Sequence, residues 1–259
     1  MGDFDAYPRP ALSGNQVRVL GPVEIVVDGV VQPLRPMARR LLAVLAAAPG
    51  LVVRSDRVVD QLWPDVSPST AEKTLQSHVM HLRRALGAES VAYRSGGYLL
   101  DIAVVDLDSE RLTILVEGAE SAMERNEFEA ACGPLGRAVT LLRGKPFDEF
   151  GVEEFAQPEV ARLCEMGSRA LELRAECAIR QGRAVTAISD LQRLVVEHPL
   201  RESAWVLLIN ALVCSDRNGD AIVTARRACA TVKREVGAHP CAALRRATEG
   251  LFGATALAH

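Results

Sequence analysis

The chain has 259 residues, room for two ordinary domains of ~100–200 residues each. With 49% hydrophobic and 24% charged residues it can bury a core, which excludes a disordered polyelectrolyte, and a net charge of −3 shows no bulk preference for nucleic acid. The longest apolar run, Leu41 to Pro49, falls far short of the ~18 residues of a membrane span, so a soluble cytoplasmic protein with no membrane partner is expected.

In chain order, residues 1–15, with Gly2, Pro8, Pro10 and Gly14, read as a flexible leader. Val17 to Leu20, Val23 to Val27 and Val30 to Leu34 are short β-branched runs, the last two joined by Asp28-Gly29, a strong hairpin signal. Three helical stretches follow, Pro36 to Ala48, Ser55 to Trp63 and Ser69 to Leu86, separated by Pro49-Gly50 and by Pro64 to Pro68. Ser55 is placed to cap the second, and Ser69 with Glu72 three residues on gives the third a capping box. Val91 to Arg94 and Tyr98 to Ile102, flanking Ser95-Gly96-Gly97, read as a second hairpin.

Beyond Val104 strand signals vanish and the pattern is helical, with breaks near Gly144 to Pro146, Gly151, Gln157-Pro158, Gly182, His198-Pro199, Gly219 and His239-Pro240. Ala187-Ile188 recurs 34 residues later as Ala221-Ile222, and Trp205, Leu208 and Leu212 precede Ala221 at tetratricopeptide spacing, which places Trp205 in a repeat core. Stacked helix pairs of this kind make a surface suited to holding another protein, or serve as a dimerisation bundle. The six cysteines, Cys132, Cys164, Cys177, Cys214, Cys229 and Cys241, form no C-x-x-C pair and are expected as buried free thiols.

The third helical stretch carries the functional signal. With Leu75 at zero on a wheel of ~100° per residue, Ala71, Val79, Leu82 and Leu86 fall within ~40° of it, a narrow stripe for burial. Opposite lie Lys73, Ser77, Met80 and Arg84, with Thr70 and His81 beside them, Thr74 and His78 on one shoulder and Gln76 and Arg83 on the other. Such a face is either simply solvated or a reading head. The local balance from Ser69 to Arg94 is four cations against two anions, whereas residues 104–259 hold 19 against 23, so the cationic bias is confined to this stretch.

A helix with that face, preceded by a shorter helix and followed by a glycine-tipped hairpin carrying Arg94, is what a winged helix-turn-helix requires. Short side chains in its first turns can reach base edges in the major groove, while Lys73, Arg83 and Arg84 can neutralise phosphates. Arg94 can enter the adjacent minor groove or grip its backbone, and the helix start at Ser55 can offer N–H groups to another phosphate. Trp63 either donates its indole N–H to a phosphate or packs between helices. His78 and His81 stand three apart without a third ligand, so neither a metal nor a cofactor is expected. The expected class is therefore α+β: a winged helix-turn-helix with small antiparallel sheets at 16–103, an all-α tetratricopeptide-like helical repeat domain at 104–253, and a tail at 254–259.

The run from Ser69 to Gly87, with Leu62-Trp63 before it and Arg94-Ser-Gly-Gly-Tyr98 after it, resembles the OmpR-type winged helix of transcription factors. Joined to a helical domain opening at Val105-Asp-Leu-Asp108, it is similar to the Streptomyces antibiotic regulatory protein family, whose second half is the bacterial transcriptional activation domain. The resemblance runs from Val17 to Phe252 and implies a pathway-specific activator of secondary-metabolite genes. It implies binding to direct repeats of double-stranded promoter DNA as a side-by-side homodimer, engagement of RNA polymerase holoenzyme including its sigma factor, and a cytoplasmic, nucleoid-associated location. By position it assigns Lys73, Thr74, Ser77, His78, His81 and Arg83 to the recognition-helix contacts and Arg94 to the wing. Relatives often carry a strong donor where Met80 and His81 stand, which sets this chain's base preference apart.

No G-x-S-x-G, G-x-x-x-x-G-K-[ST] or post-strand G-x-G-x-x-G occurs, so an enzyme is not expected. A protein-binding scaffold built on the repeats is the alternative, and it leaves the first domain without a task.

Overall fold

The computed structural model describes residues 15–103 and 106–256, the last five by backbone alone. The expected leader, apart from Asn15, the opening residue Val105 and the last three residues of the expected tail lie outside these residues. The described chain divides into two compact units: residues 15–114 with Thr140–Met166, and Leu115–Val139 with the chain from Gly167 onward.

In the first unit, β1 (Asn15–Arg18), β2 (Glu24–Val27) and β3 (Val30–Gln32) form an antiparallel sheet in that order. Asp28 and Gly29 turn the second pair with φ of 49° and 82°, the two successive positive values that a two-residue hairpin twisting with its strands requires. The first strand stops two residues short of the expected Leu20, because Val19 and Leu20 find other partners. Their N–H groups donate to the two carboxylate oxygens of Asp108 at 2.7 and 3.1 Å. Their carbonyls accept from Phe147 N and Arg143 N, both at 2.8 Å, so every polar group of this buried pair is matched.

Helix α1 (Pro36–Ala46) opens on a proline, which fits the first helical position because its missing N–H would be unpaired there anyway. Leu41 through Ala46 are all buried, making α1 the centre of the unit. It packs against α2 (Ser55–Leu62) and α3 (Ala71–Leu86). A second sheet has the order β4-β6-β5, from β4 (Val53–Arg54), β5 (Val91–Arg94) and β6 (Gly97–Leu100). Sequence reading missed the two-residue β4. Gly97 rather than Tyr98 begins β6, because Ser95 and Gly96, with φ of 49° and 77°, complete the turn by themselves. At Gly97 a Cβ would collide with the Val53 carbonyl oxygen, so only glycine lets β4 approach β6 here.

The return segment 140–166 closes this unit. Phe147 is fully buried, and with φ of 52° it adopts a left-handed conformation that a bulky residue holds only when packing fixes it. Val23 N donates to Glu149 at 3.0 Å. Arg40 donates to both carboxylate oxygens of Glu153 at 2.9 and 3.0 Å and to the Gln61 carbonyl at 2.6 Å, with the rings of Phe150 and Phe155 about 6 Å from its guanidinium. A bidentate, aromatic-shielded arginine of this kind is among the stronger polar ties available to a surface segment.

The second unit is helical. It takes the end of α4 (Asp108–Glu124), most of α5 (Phe128–Leu141), the later part of α6 (Gln157–Arg180), and then α7 (Val185–Glu197), α8 (Glu202–Val213), α9 (Asn218–Val236) and α10 (Ala242–Ala256). Sequence reading missed the break between α4 and α5, where Asn126 takes φ of 63°, whereas the break expected near Gly219 falls just before it, between Val213 and Asn218. Ala187 and Ala221, the two small residues 34 apart, are both buried, α7 and α9 each packing on α8 through them and their neighbours. Trp205 fills the shared core at 1% exposure and donates its indole N–H to the Pro199 carbonyl at 2.9 Å. Arg201 and Ser203 both donate to the buried Glu172, a charged group made tolerable by full pairing.

All six cysteines are thiols, but only Cys177 is buried as expected: Cys132, Cys164 and Cys229 are half-buried, and Cys214 and Cys241 are exposed, since both stand in short connections where no apolar face constrains them. Cys177 is buried, and desolvation pushes its thiol up to about 12, which leaves it unreactive. No helix of the described residues is long and apolar enough to cross a membrane.

Candidate nucleic-acid interface

The buried residues of α3 are Ala71, Leu75, Val79, Leu82 and Leu86, the stripe that the wheel places inward. Seated on α1, β2 and β5 by that stripe, the helix has one free face. Lys73, Gln76, Ser77, Met80 and Arg84 are exposed there, and Thr74, His78, His81 and Arg83 are half-buried along its flanks. Among the described residues neither Lys73 nor Arg84 has a carboxylate partner, so both charges point into solvent uncommitted.

The amino end of α3 differs from expectation. Helical structure begins at Ala71, whose N–H donates to the Pro68 carbonyl at 2.9 Å, so Thr70 and not Ser69 holds the cap position, and no side-chain cap forms. The capping box of Ser69 and Glu72 is therefore absent. The Thr70 carbonyl accepts from both the N–H and the hydroxyl of Thr74, each at 3.0 Å, which ties the Thr74 side chain to the preceding turn.

Ser55 also departs from its expected role. It is the first residue of α2, and its N–H and hydroxyl both donate to the Gly96 carbonyl, at 3.1 and 3.0 Å. Asp56 accepts from Arg57 N at 2.8 Å and pairs with Arg54, so a carboxylate of the chain itself occupies the position where a phosphate was expected. Ser55 is a tie between α2 and the wing turn. Trp63, half-buried, ends α2 with its N–H on the Val59 carbonyl.

Arg83 is a strut. Its Nε and Nη2 both donate to the Val91 carbonyl, at 2.8 and 2.6 Å, joining α3 to β5. Arg94 at the wing tip is 64% exposed and pairs with Asp101 at 2.8 Å, an open ion pair that a phosphate can outcompete at little cost. Tyr93, next to it and 59% exposed, stacks edge-on against Tyr98 with centroids 5.0 Å apart. Sequence reading passed over Tyr93, though an aromatic beside Arg94 in a two-sided hairpin was the signal. The whole stretch from Pro64 to Thr70 is exposed, with Val66 at 81%.

Burial is the main cause that holds the His78 imidazole below its ordinary range, helped by the nearby charges of His81 and Arg35. It is thus neutral at pH 7, with one donor and one acceptor to offer. Among the described residues no cluster of three His, Cys, Asp or Glu could hold a metal ion.

Residues 30–100 match the family model described as transcriptional regulatory protein, C terminal, and residues 107–251 match the bacterial transcriptional activator domain. The transcriptional regulatory protein EmbR of Mycobacterium bovis is 32% identical over 241 residues, covering 90% of this chain, which spans 62% of that protein. The regulatory protein DnrI of Streptomyces peucetius is 30% identical over 251 residues, covering 92% of each chain. The transcriptional regulator RedD of Streptomyces coelicolor is 30% identical over 240 residues, covering 89% of this chain and 68% of its own. A solved structure of Mycobacterium tuberculosis EmbR in complex with a low affinity phosphopeptide aligns with a TM-score of 0.83 at 31% identity, covering 92% of this chain and 65% of that one.

Proposed function

Because this chain belongs to the Streptomyces antibiotic regulatory protein family, we propose that it is a sequence-specific DNA-binding transcriptional activator of secondary-metabolite genes. The observation that carries the reading is the division of α3 into a sealed apolar stripe and an opposite face where Lys73 and Arg84 stand without carboxylate partners. In the major groove, Lys73 and Arg84 neutralise phosphates, while Thr70, Thr74, Ser77, His78, Met80 and His81 face base edges. Met80 suits a thymine methyl rather than a guanine edge. The wing brings Arg94 and Tyr93 to the neighbouring backbone, and Arg83 holds the wing at its distance from α3.

Residues 16–103 act as the reading head and 104–253 as the activation domain. Two copies stand side by side on direct repeats and engage RNA polymerase holoenzyme with its sigma factor, in the cytoplasm at the nucleoid. No enzymatic step belongs to this reading, in keeping with a family of DNA-binding regulators. The test is a mobility shift on promoter fragments from the protein's chromosomal neighbourhood at several salt concentrations. Selective binding is expected, with a steep salt dependence that Lys73→Ala and Arg84→Ala each reduce by about one in log–log slope. Salt-independent or non-selective binding overturns the reading.

A further inference from the structure

A groove of about 390 Å³ opens in the second unit between α7 and α9, and none of the residues assigned to DNA lines it. Val195, Pro199 and Trp205 line one side, and Arg227 and Arg234 line the other. Val196, which also lines it, is 62% exposed, and Leu200 beside Pro199 is 52% exposed, so the mouth is apolar and wet. Isolated apolar residues at a surface are ordinary, but several around one concavity mark an interaction site.

Its charge is one-sided. The Arg227 guanidinium lies over the Trp205 ring at 5.7 Å, and among the described residues it has no carboxylate partner. Among the described residues Arg234 pairs with its neighbour Glu235 alone, both largely exposed, a contact worth little. Arg226 and Lys233 stand on the same solvent face of α9, opposite its buried Ala221, Ala225, Ala228 and Val232. Among the described residues no acidic side chain lines the groove. The anionic total of residues 104–259 hides a second cationic stretch, because residues 201–259 carry eight cations against five anions whereas residues 104–200 carry 11 against 18.

The occupant must supply carboxylates or phosphates to the arginines and something apolar to Val196, Pro199 and the neighbouring Leu200, since Val195 and Trp205 form the buried floor. A DNA backbone supplies only the first. We propose that the groove between α7 and α9 docks an acidic segment of a partner protein, with one apolar side chain in the groove and carboxylates on Arg227 and Arg234. Arg227 is already oriented by the indole, so it gains a partner without first losing one. The groove residues all belong to the second unit, and the proposal does not rest on the DNA-binding reading.

The experiment pans a phage-displayed library of random 12-residue peptides on the full chain, with counter-selection on the Arg227→Glu/Arg234→Glu variant. Enriched peptides are expected to combine Asp and Glu with a Leu or Phe. A labelled synthetic copy of the most enriched peptide should bind the double variant roughly tenfold or more weakly, as should Val196→Asp, which places a repelling charge at an exposed position and spares the core. Unchanged melting temperatures and unchanged mobility shifts on DNA separate this result from misfolding and from failure of the DNA-binding reading. No variant-sensitive enrichment, or enrichment without acidic residues, overturns the proposal. So does loss of DNA binding in the double variant without any peptide, which would make α9 a DNA surface.

Discussion

Replacing Asp108 by Asn tests how the start of the helical region is fastened to the reading head. Asp108 is 6% exposed and gives one oxygen each to Val19 N and Leu20 N, with Arg143 at 3.6 Å from Oδ2. Burial outweighs those favourable contacts and pushes the carboxyl from 3.8 up to about 6. A raised carboxyl pKa means that folding takes up a proton between those two values, so the contribution to stability is best below pH 3.8 and falls as pH rises toward 6. At ~1.4 kcal/mol per pH unit the displacement amounts to about 3 kcal/mol. The amide has no charge to bury but turns an NH₂ toward one of the two backbone donors, a pH-independent loss of about 1–3 kcal/mol. Urea unfolding of both proteins from pH 4 to pH 7.5 should therefore show the wild type losing up to about 3 kcal/mol relative to Asp108→Asn across that range, with the change centred below pH 6. A difference constant in pH, or one in which the wild type gains as pH rises, would refute the reasoning and show that the two amide donors and Arg143 dominate.

Other expectations follow from single contacts. Arg83→Ala leaves the Val91 carbonyl without its two donors, so it should lower stability by about 1–3 kcal/mol as well as weaken DNA binding, and Arg83→Lys should recover only part of either. Melts and mobility shifts on the same samples read both, and a variant with native stability would return Arg83 to the role of a simple phosphate contact. Gly97→Ala forces β4 away from β6 and should cost about 1–3 kcal/mol, with the wing amides losing hydrogen-exchange protection. Full protection in that variant would contradict the close approach. Phe147→Ala empties a fully buried site and should cost about 3–5 kcal/mol, a large share of the ~5–15 kcal/mol typical of a folded chain. A melting temperature within a degree of wild type would show that the return segment does not stabilise the head.

What was legible in the sequence was whatever local periodicity determines. The inward stripe of α3 and the Asp28-Gly29 turn each depend on residues within a few positions, and both are as read. The capping box failed because the turn at Pro68 moves the cap onward by one residue, from Ser69 to Thr70, which puts Lys73 rather than Glu72 at the third helical position. Ser55 and β4 could not be read, because each depends on Gly96 or Gly97, some 40 residues away. The same holds for Arg83: its cationic character was plain, but its engagement with Val91 exists only once the wing has folded back. Tertiary partners, not propensities, decided which cations of the site are committed and which are available.

The return segment gives the order of events during synthesis an unusual form. The carbonyls of Val19, Leu20 and Gly21, among the first residues of the first strand's exit, wait for amides of Arg143, Phe147 and Asp148. When residue 103 has been made, the ribosome must still add 63 residues before the unit that ends at Met166 is whole. At ~5–20 residues per second that interval is roughly 3–13 s, during which the face later covered by Phe147 stands open. A growing chain in this state presents a reading head whose α3 can already form while its far side is unsealed, so chaperone protection falls in that window, and a fragment cut at residue 103 is an arrested nascent chain rather than a finished domain.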